Sequence, residues 1–310
     1  MRILVAGATG VVGHPLVGAL RARGHQVSAL VREESRARAP EADALVVADA
    51  LDRAALLAAV SDVRPDVVVH QLSALRLLRD DPPEAFARTA RLRTEGTANL
   101  IAAARAAGAR RLVAQSIAFA AAPTGEAVVD ESVPLYVDAP DPGWAATVRA
   151  VADLESQVLD SASELSGLVL RYGTLYGPGT AYARAGGGTA ERVRAGKLPL
   201  PEGGAGITSF LHVEDAVGAA VAAVESSEAA GAFHITDDEP APSAQWLPHY
   251  ADALGAPPPR TIPAAMAPRL LGWFMAHQLT SASGASNALA RTGLGWKPLR
   301  PGWRDGLGQE

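Results

Sequence analysis

Residues 3–20, ILVAGATGVVGHPLVGAL, put glycines at 7, 10 and 13 between a short apolar run and an amphipathic one. The spacing is G-x-x-G-x-x-G, one residue longer than the G-x-G-x-x-G dinucleotide fingerprint, but the physical demand is the same. Backbone has to turn sharply and approach a pyrophosphate with no side chain in the way. The following helix then offers unpaired N–H groups and a partial positive charge. A lone glycine triplet can be no more than a tight turn. Its place between a strand and a helix points instead to a dinucleotide site built from Gly7, Thr9, Gly10, Val11, Val12 and Gly13.

The next hundred residues keep alternating in the same way. RILVAG, HQVSALVR, ALVVAD and DVVVHQL read as buried strands, with helical spacing in HPLVGALRARG and in DRAALLAAVSDV, the latter capped by Asp52. A long helix through TEGTANLIAAARAAG leads to a strand in RRLVAQSIA; helix TVRAVADLESQVL and strand GLVLRYG follow. Strand–helix alternation predicts an α/β fold: a doubly wound parallel sheet, Rossmann-like, with helices on both faces. After Gly177 the texture becomes rich in glycine and proline. This predicts a dinucleotide-binding domain over 1–176 and a smaller C-terminal substrate lobe over 177–310. Within that lobe FLHVEDAVGAAVAAVE reads as a strand and helix, so residues 207–236 are expected to return to the main sheet.

The end of the second strand bears on which nucleotide is bound. An NAD site holds the ribose 2′-hydroxyl with an acidic residue about 20 positions after the glycines. Here Val31 is followed by Arg32, and the first carboxylate is Glu33. Arginine there suits a 2′-phosphate, so NADP(H) is preferred and NAD(H) stays open. The bland reading is a solvated arginine among Glu33, Glu34, Arg36 and Arg38. Asp49, with Ala50 and Leu51, is expected to order the adenine pocket, or to form a simple turn.

Composition excludes several classes. A net charge of −5 and a pI near 5.8 do not provide the concentrated positive charge of a nucleic-acid surface. With no cysteine there are neither disulfides nor thiolate metal ligands, and no metal is expected. The N-terminal apolar run is too short for a signal-peptide core, and Leu270 to Ala290 is too polar for a membrane span. A cytoplasmic protein acting on a small molecule is expected, with a homodimer left open.

In order along nearly the whole chain, GATGVVG, VVHQLSA, EGTANLIAAARAAGARRLVAQS, LRYGTLYGPG, FLHVEDAV and SNALARTGLGWKP resemble the landmarks of the extended short-chain dehydrogenase/reductases, the NAD-dependent epimerase/dehydratase family. The resemblance implies an enzyme with a nicotinamide cofactor on the sheet and substrate in the later lobe. It places Gln71, Leu72, Ser73, Ser116 and Tyr172 along the cofactor. It also implies an Asn, Ser, Tyr, Lys active site, and here the match breaks. Aligning the helix glutamate on Glu155 puts the tyrosine position at Thr147 and the lysine position at Val151; the asparagine position falls on Arg93, and only Ser116 remains. No shift of alignment repairs this. The five tyrosines are followed four residues on by Pro140, Tyr176, Thr180, Gly186 and Leu254, so no Y-x-x-x-K exists.

Reducing a ketone with hydride leaves an alkoxide that needs a proton, and neither threonine nor valine replaces a phenol activated by an ammonium group. Tyr136, in a loop before the altered helix, is the leading replacement acid, or else simply lines the pocket. Ser116 is expected to face the nicotinamide and bond a substrate oxygen. Trp144 reads as a wall for an aromatic substrate or as a loop anchor. Arg93 reads as a holder of a substrate carboxylate or oxyanion, or as a solvated helix residue. Thr147 and Tyr176 complete the expected substrate contacts, with Pro178 beside them. His70 has a usable pKa but no implied role, and His212 and Asp215 are expected to brace the two lobes. The leading reading is an atypical NADP(H)-dependent oxidoreductase or epimerase. A non-redox lyase, isomerase or cyclase holding the nucleotide structurally and a non-catalytic NADP(H) sensor are the alternatives.

Overall fold

The computed structural model describes residues 1–75, 81–161 and 165–309. β1 (Arg2–Ala6) runs through the glycine loop into α1 (Gly13–Ala22), followed by β2 (Gln26–Val31), β3 (Ala44–Val47), α2 (Arg53–Val63) and β4 (Val67–His70). α3 (Pro82–Arg91) continues through a π-turn over 92–96 into α4 (Thr97–Ala106). Then come β5 (Arg111–Ile117), β6 (Val128–Val129), α5 (Pro142–Asp160) and β7 (Ser166–Tyr172). The later chain supplies β8 (Thr174–Tyr176), α6 (Gly188–Arg194), β9 (Leu200–Pro201), β10 (Ile207–Thr208), β11 (Phe210–His212), α7 (Val213–Glu225), β12 (Gly231–Ile235), α8 (Ser243–Ala253), α9 (Ala267–Leu271) and α10 (Trp273–Thr280).

Seven strands form one parallel sheet in the order β12-β7-β5-β4-β1-β2-β3. Alternation along β1 shows why it is covered on both sides: Ile3 and Val5 pack into one apolar layer with α1 and α7, Leu4 and Ala6 into another with α2, α4 and α5. Each such Leu or Val contributes about 1.5–3 kcal/mol by leaving water. Carboxylates start α2, α3 and α5. Asp52, Asp81 and Asp141 each accept the backbone N–H three residues on, at Ala55, Glu84 and Trp144. The cap at Asp141 starts α5 five residues before Thr147, which brings Trp144 into its first turn.

The stretch FLHVEDAVGAAVAAVE divides differently from the reading above. β11 pairs with β8 in a separate two-stranded ribbon. α7 lies on the main sheet beside α1, and the strand that joins the sheet is β12, which follows α7 and pairs with β7. The valine and alanine face of α7 packs on the sheet, whereas the three residues of β11 pair with β8. That lobe has its own core, with Tyr176, Phe210, Trp246, Tyr250 and Trp303 packed together.

Candidate active site

The glycine loop is compressed to the point that side chains are excluded. Gly7 has φ +87°, and a Cβ there would lie 2.4 Å from the Gln71 carbonyl oxygen; one on Gly13 would lie 2.2 Å from the Gly7 carbonyl oxygen. The Gly10 amide donates to the Gly7 carbonyl at 2.9 Å, closing the turn. Val12 sends its side chain into the core, leaving backbone at the loop surface, where Thr9, Gly10 and Val11 are half-buried. This cradle at the end of α1 fits a dinucleotide pyrophosphate.

The neighbouring loops are tied together by hydrogen bonds. Gln71 Nε2 donates to the Tyr172 hydroxyl at 3.1 Å, while its buried Oε1 has no hydrogen-bond partner among the described residues. Gln115 Nε2 donates to the Leu72 carbonyl, and the Leu72 amide donates to His70 Nδ1, each at 3.1 Å. Ser73 is exposed beyond them. Burial pushes the Tyr172 phenol well above its ordinary pKa, so it serves as a fixed hydrogen-bonding group rather than a proton donor. His70 is also structural. Its Nδ1 accepts, so Nε2 carries the proton toward Thr97 Oγ1 at 3.1 Å, and burial drives its pKa down to about 4.

Just after β2, Arg32 is partly exposed and paired with Glu34. Asp49 Oδ1 accepts the Leu51 amide at 3.0 Å, and Oδ2 takes the Arg88 guanidinium at 2.5 Å. Burial would raise the Asp49 pKa, but the amide and the two arginines Arg88 and Arg32 outweigh it and hold the carboxyl below its usual range. Ala50 is buried and its carbonyl accepts from Asn99. Arg88 has no counterpart in the sequence reading, because its pairing with Asp49 spans 39 residues.

The expected catalytic residues separate. Ser116 is buried, and its Oγ donates to Glu155 Oε1 at 2.5 Å. Glu155 is held from its other side by Arg171, Nε to Oε1 at 2.9 Å and Nη2 to Oε2 at 2.7 Å. The serine proton is therefore committed to a buried ion pair, which corrects the expectation that it bonds a substrate oxygen. Thr147 Oγ1 donates to the Gly143 carbonyl of its own helix at 3.1 Å, and Val151 is buried. Tyr176 is a second correction: 1% exposed, it is enclosed in the core of the later lobe with edges toward Phe210 and His212. A ring of that size is better accommodated by the lobe core than by a wet cleft. His212 caps α7 by accepting the Glu214 amide, while Asp215 accepts the Leu299 and Arg300 amides, so both brace the chain.

What the fold does assemble is an aromatic wall. Trp144 stacks on Phe119 at 6.2 Å and meets Phe274 of α10 at 4.3 Å. Tyr136 lies 6.3 Å from Trp273 and 6.1 Å from His277, which themselves stack at 4.8 Å. Phe119 and Gln278 also line a small crevice with Thr174, Ser209 and Ser283. Gln278 Nε2 is buried there, with no hydrogen-bond partner among the described residues. Sequence reasoning passed over α10. The spacing of Trp273, Phe274, His277 and Gln278 on one short helix was visible, but not what it would face.

Arg93 occupies the π-turn, a single-turn irregularity of the kind often found at functional sites. The turn packs against α5, and Gln157 of that helix donates to the Thr94 carbonyl at 3.3 Å. Leu92 fills the space between Ala50 and Ala74. Arg93 keeps some solvent contact, yet surrounding protein desolvates its guanidinium and pushes its pKa down to about 10. Among the described residues it has no ion-pair or hydrogen-bond partner.

No helix among the described residues is long and apolar enough to cross a membrane. Residues 3–236 match the NAD dependent epimerase/dehydratase family. The chain is 80% identical over 310 residues, 100% of both chains, to a 3-diazoavenalumate denitrifying reductase from Streptomyces sp. It is 31% identical over 269 residues, 83% of this chain and 77% of the relative, to a 2-alkyl-3-oxoalkanoate reductase from Stenotrophomonas maltophilia. Among solved structures, it superposes on a UDP-glucose 4-epimerase from Thermotoga maritima with TM-score 0.75 at 21% identity, covering 100% of this chain and 97% of the other. The human epimerase family protein SDR39U1, solved with NADPH, gives 0.73 at 21% identity, with coverage of 100% and 97%. With its dinucleotide cradle and parallel sheet, the chain belongs to the NAD-dependent epimerase/dehydratase family and is an oxidoreductase- or epimerase-like enzyme with a nicotinamide dinucleotide cofactor.

Proposed function

We propose that this enzyme is an NADP(H)-dependent denitrifying reductase that replaces the diazo group of an aromatic acid with hydrogen. The observation that carries the reading is the 80% identity, over the full length of both chains, to a reductase named for 3-diazoavenalumate. In the reaction, the diazonium carbon would gain a hydride, which a bound reduced nicotinamide would supply and be oxidised in supplying, as the C–N bond breaks and its electron pair leaves with dinitrogen. A C–H bond would form and no alkoxide would arise. No proton has to be delivered.

That balance gives a chemical reason for the altered helix. Thr147 and Val151 stand where a ketone reductase of this family would need an acid and its activating cation, and a diazonium carbon needs neither. The aromatic wall fits the same substrate. Half-buried Phe119 and Phe274, packed on the buried Trp144, would offer apolar surface to a flat ring, exclude water from a reactive cation, and attract the positive diazo group through their ring quadrupoles. Arg32 beside the adenosine end supports NADP(H) over NAD(H).

The 31% identity to an oxoalkanoate reductase supports a second reading, carbonyl reduction with Tyr136 as acid. The two are separated by incubating the protein with a 15N-labelled diazo aromatic acid and NADPH carrying deuterium at the transferred position. Labelled dinitrogen in the gas phase and deuterium at the vacated ring carbon are expected. Consumption of ketones with no dinitrogen from the diazo acid would replace the first reading by the second.

A further inference from the structure

An unpaired guanidinium enclosed by protein is costly, because the lost hydration is not returned by a counter-ion. Arg93 carries that cost at a specific place. It follows Leu92, which packs against the segment after β4, and its charge acts on His70 at the end of that strand. Ligands of doubly wound sheets bind outside the C-terminal ends of the strands, so Arg93 stands at the rim of the site. The π-turn holds it there. Thr97 Oγ1 lies 3.5 Å from the Leu92 carbonyl, and Gln157 takes the Thr94 carbonyl, so the irregular backbone is satisfied and fixed against α5. The partial solvent contact of Arg93 leaves the guanidinium reachable by a ligand.

The other charges near this position are already committed. Asp49 is taken by Arg88, Glu95 by Arg91, and Glu155 by Arg171. Val151 supplies no cation where the family has one. The pyrophosphate cradle lies on the β1–α1 turn and the adenosine-end arginines near β2, neither of which requires Arg93. We infer that Arg93 receives an anionic oxygen of the aromatic acid substrate, its carboxylate or a ring oxyanion, and so fixes how the ring lies on the aromatic wall. This deepens the proposed function and rests on its substrate class. A guanidinium fork matches either oxyanion, and pairing with it would offset the repulsion between Arg93 and a nearby diazo cation.

The test is a binding measurement that requires no turnover. Protein loaded with NADP+ is titrated with 4-hydroxycinnamic acid, its methyl ester and its 4-methoxy analogue, read by tryptophan fluorescence, in wild type, Arg93→Gln and Arg93→Lys. The acid is expected to bind wild type and to weaken by about tenfold or more in Arg93→Gln, with part of the loss recovered in Arg93→Lys. One of the two analogues should weaken binding to wild type by a similar factor and leave Arg93→Gln indifferent. Loss with the ester identifies the carboxylate as the partner; loss with the methoxy analogue identifies the ring oxygen. Equal affinity of wild type and Arg93→Gln for all three compounds overturns the inference. So does an Arg93→Gln defect confined to NADP+, or a wild type that binds none of the three. Absence of dinitrogen release alongside Arg93-dependent binding would instead refute only the denitrifying reaction.

Discussion

Ser116 Oγ and Glu155 Oε1 lie 2.5 Å apart inside the protein, with Arg171 closing the other side of the carboxylate. A serine position that the family resemblance associates with chemistry is here the tie between β5 and α5. Ser116→Ala is therefore expected to cost about 1–3 kcal/mol of stability by removing a donor from a buried carboxylate. Arg171→Leu, which leaves the charge without its cation, is expected to cost about 3–5 kcal/mol. Urea unfolding followed by circular dichroism measures both. Turnover of folded Ser116→Ala should stay within a few-fold of wild type, and a loss of a hundredfold or more would return the serine to the chemistry.

Cofactor choice is expected to depend on the pair Arg32 and Glu34, whose side chains form an ion pair. Arg32→Asp should erase or reverse a preference for NADPH over NADH by about tenfold or more, the scale of one charge-assisted contact. Glu34→Gln should move the other way, tightening NADPH because the guanidinium is released for the 2′-phosphate. Fluorescence titrations of both nucleotides decide this, and tighter NADH binding in wild type would remove the basis for Arg32 as a phosphate ligand.

Tyr136→Phe distinguishes the two reductions. A diazo carbon requires no proton, so dinitrogen release should change by no more than a few-fold when only the hydroxyl is deleted. A proton donor for a ketone would show about a 10²–10⁴-fold loss. Initial rates with each substrate class, at saturating NADPH, provide the comparison.

Three buried groups set a pH optimum for stability. Burial lowers His70 and His234 to about 4, so each contributes stability above the unfolded value of 6.5 that is lost as pH falls toward 4. Burial raises Asp237 to about 8, so its contribution is complete below 3.8 and is lost as pH rises through about 8. Between 4 and 6.5 one histidine offsets the aspartate and the other leaves a net rise; above 6.5 only the aspartate acts. The combined contribution of these three groups to stability should therefore be largest near pH 6.5. Asp237→Asn should flatten the alkaline side of the melting-temperature profile, with a larger gain over wild type at pH 8 than at pH 6; an identical pH profile in that variant would remove Asp237 from the account.

Much of the fold was legible because it rests on local patterns. The glycine loop, the apolar runs of β1, β2 and β4, and the Asp52 cap each depend on neighbours within a few residues in sequence. Which strand of 207–236 returns to the main sheet was not legible: Phe210 and Leu211 before a helix look alike in either sheet, and pairing with β8 separates the two cases.

The candidate site divides along the same line. The sequence by itself determined the dinucleotide loop, the absence of a Y-x-x-x-K pair and the presence of Arg32 and Arg93, since these are matters of residue identity and short spacing. Only the tertiary structure decided what those residues touch. It turned Ser116 toward Glu155, 39 positions away, buried Tyr176 in the second lobe, and brought Phe274 of α10 against Trp144. It also left Arg93 partly buried, with no ion-pair partner among the described residues. Direction and burial of a side chain depend on elements far apart in the chain, whose packing is fixed by the whole core rather than by the local pattern.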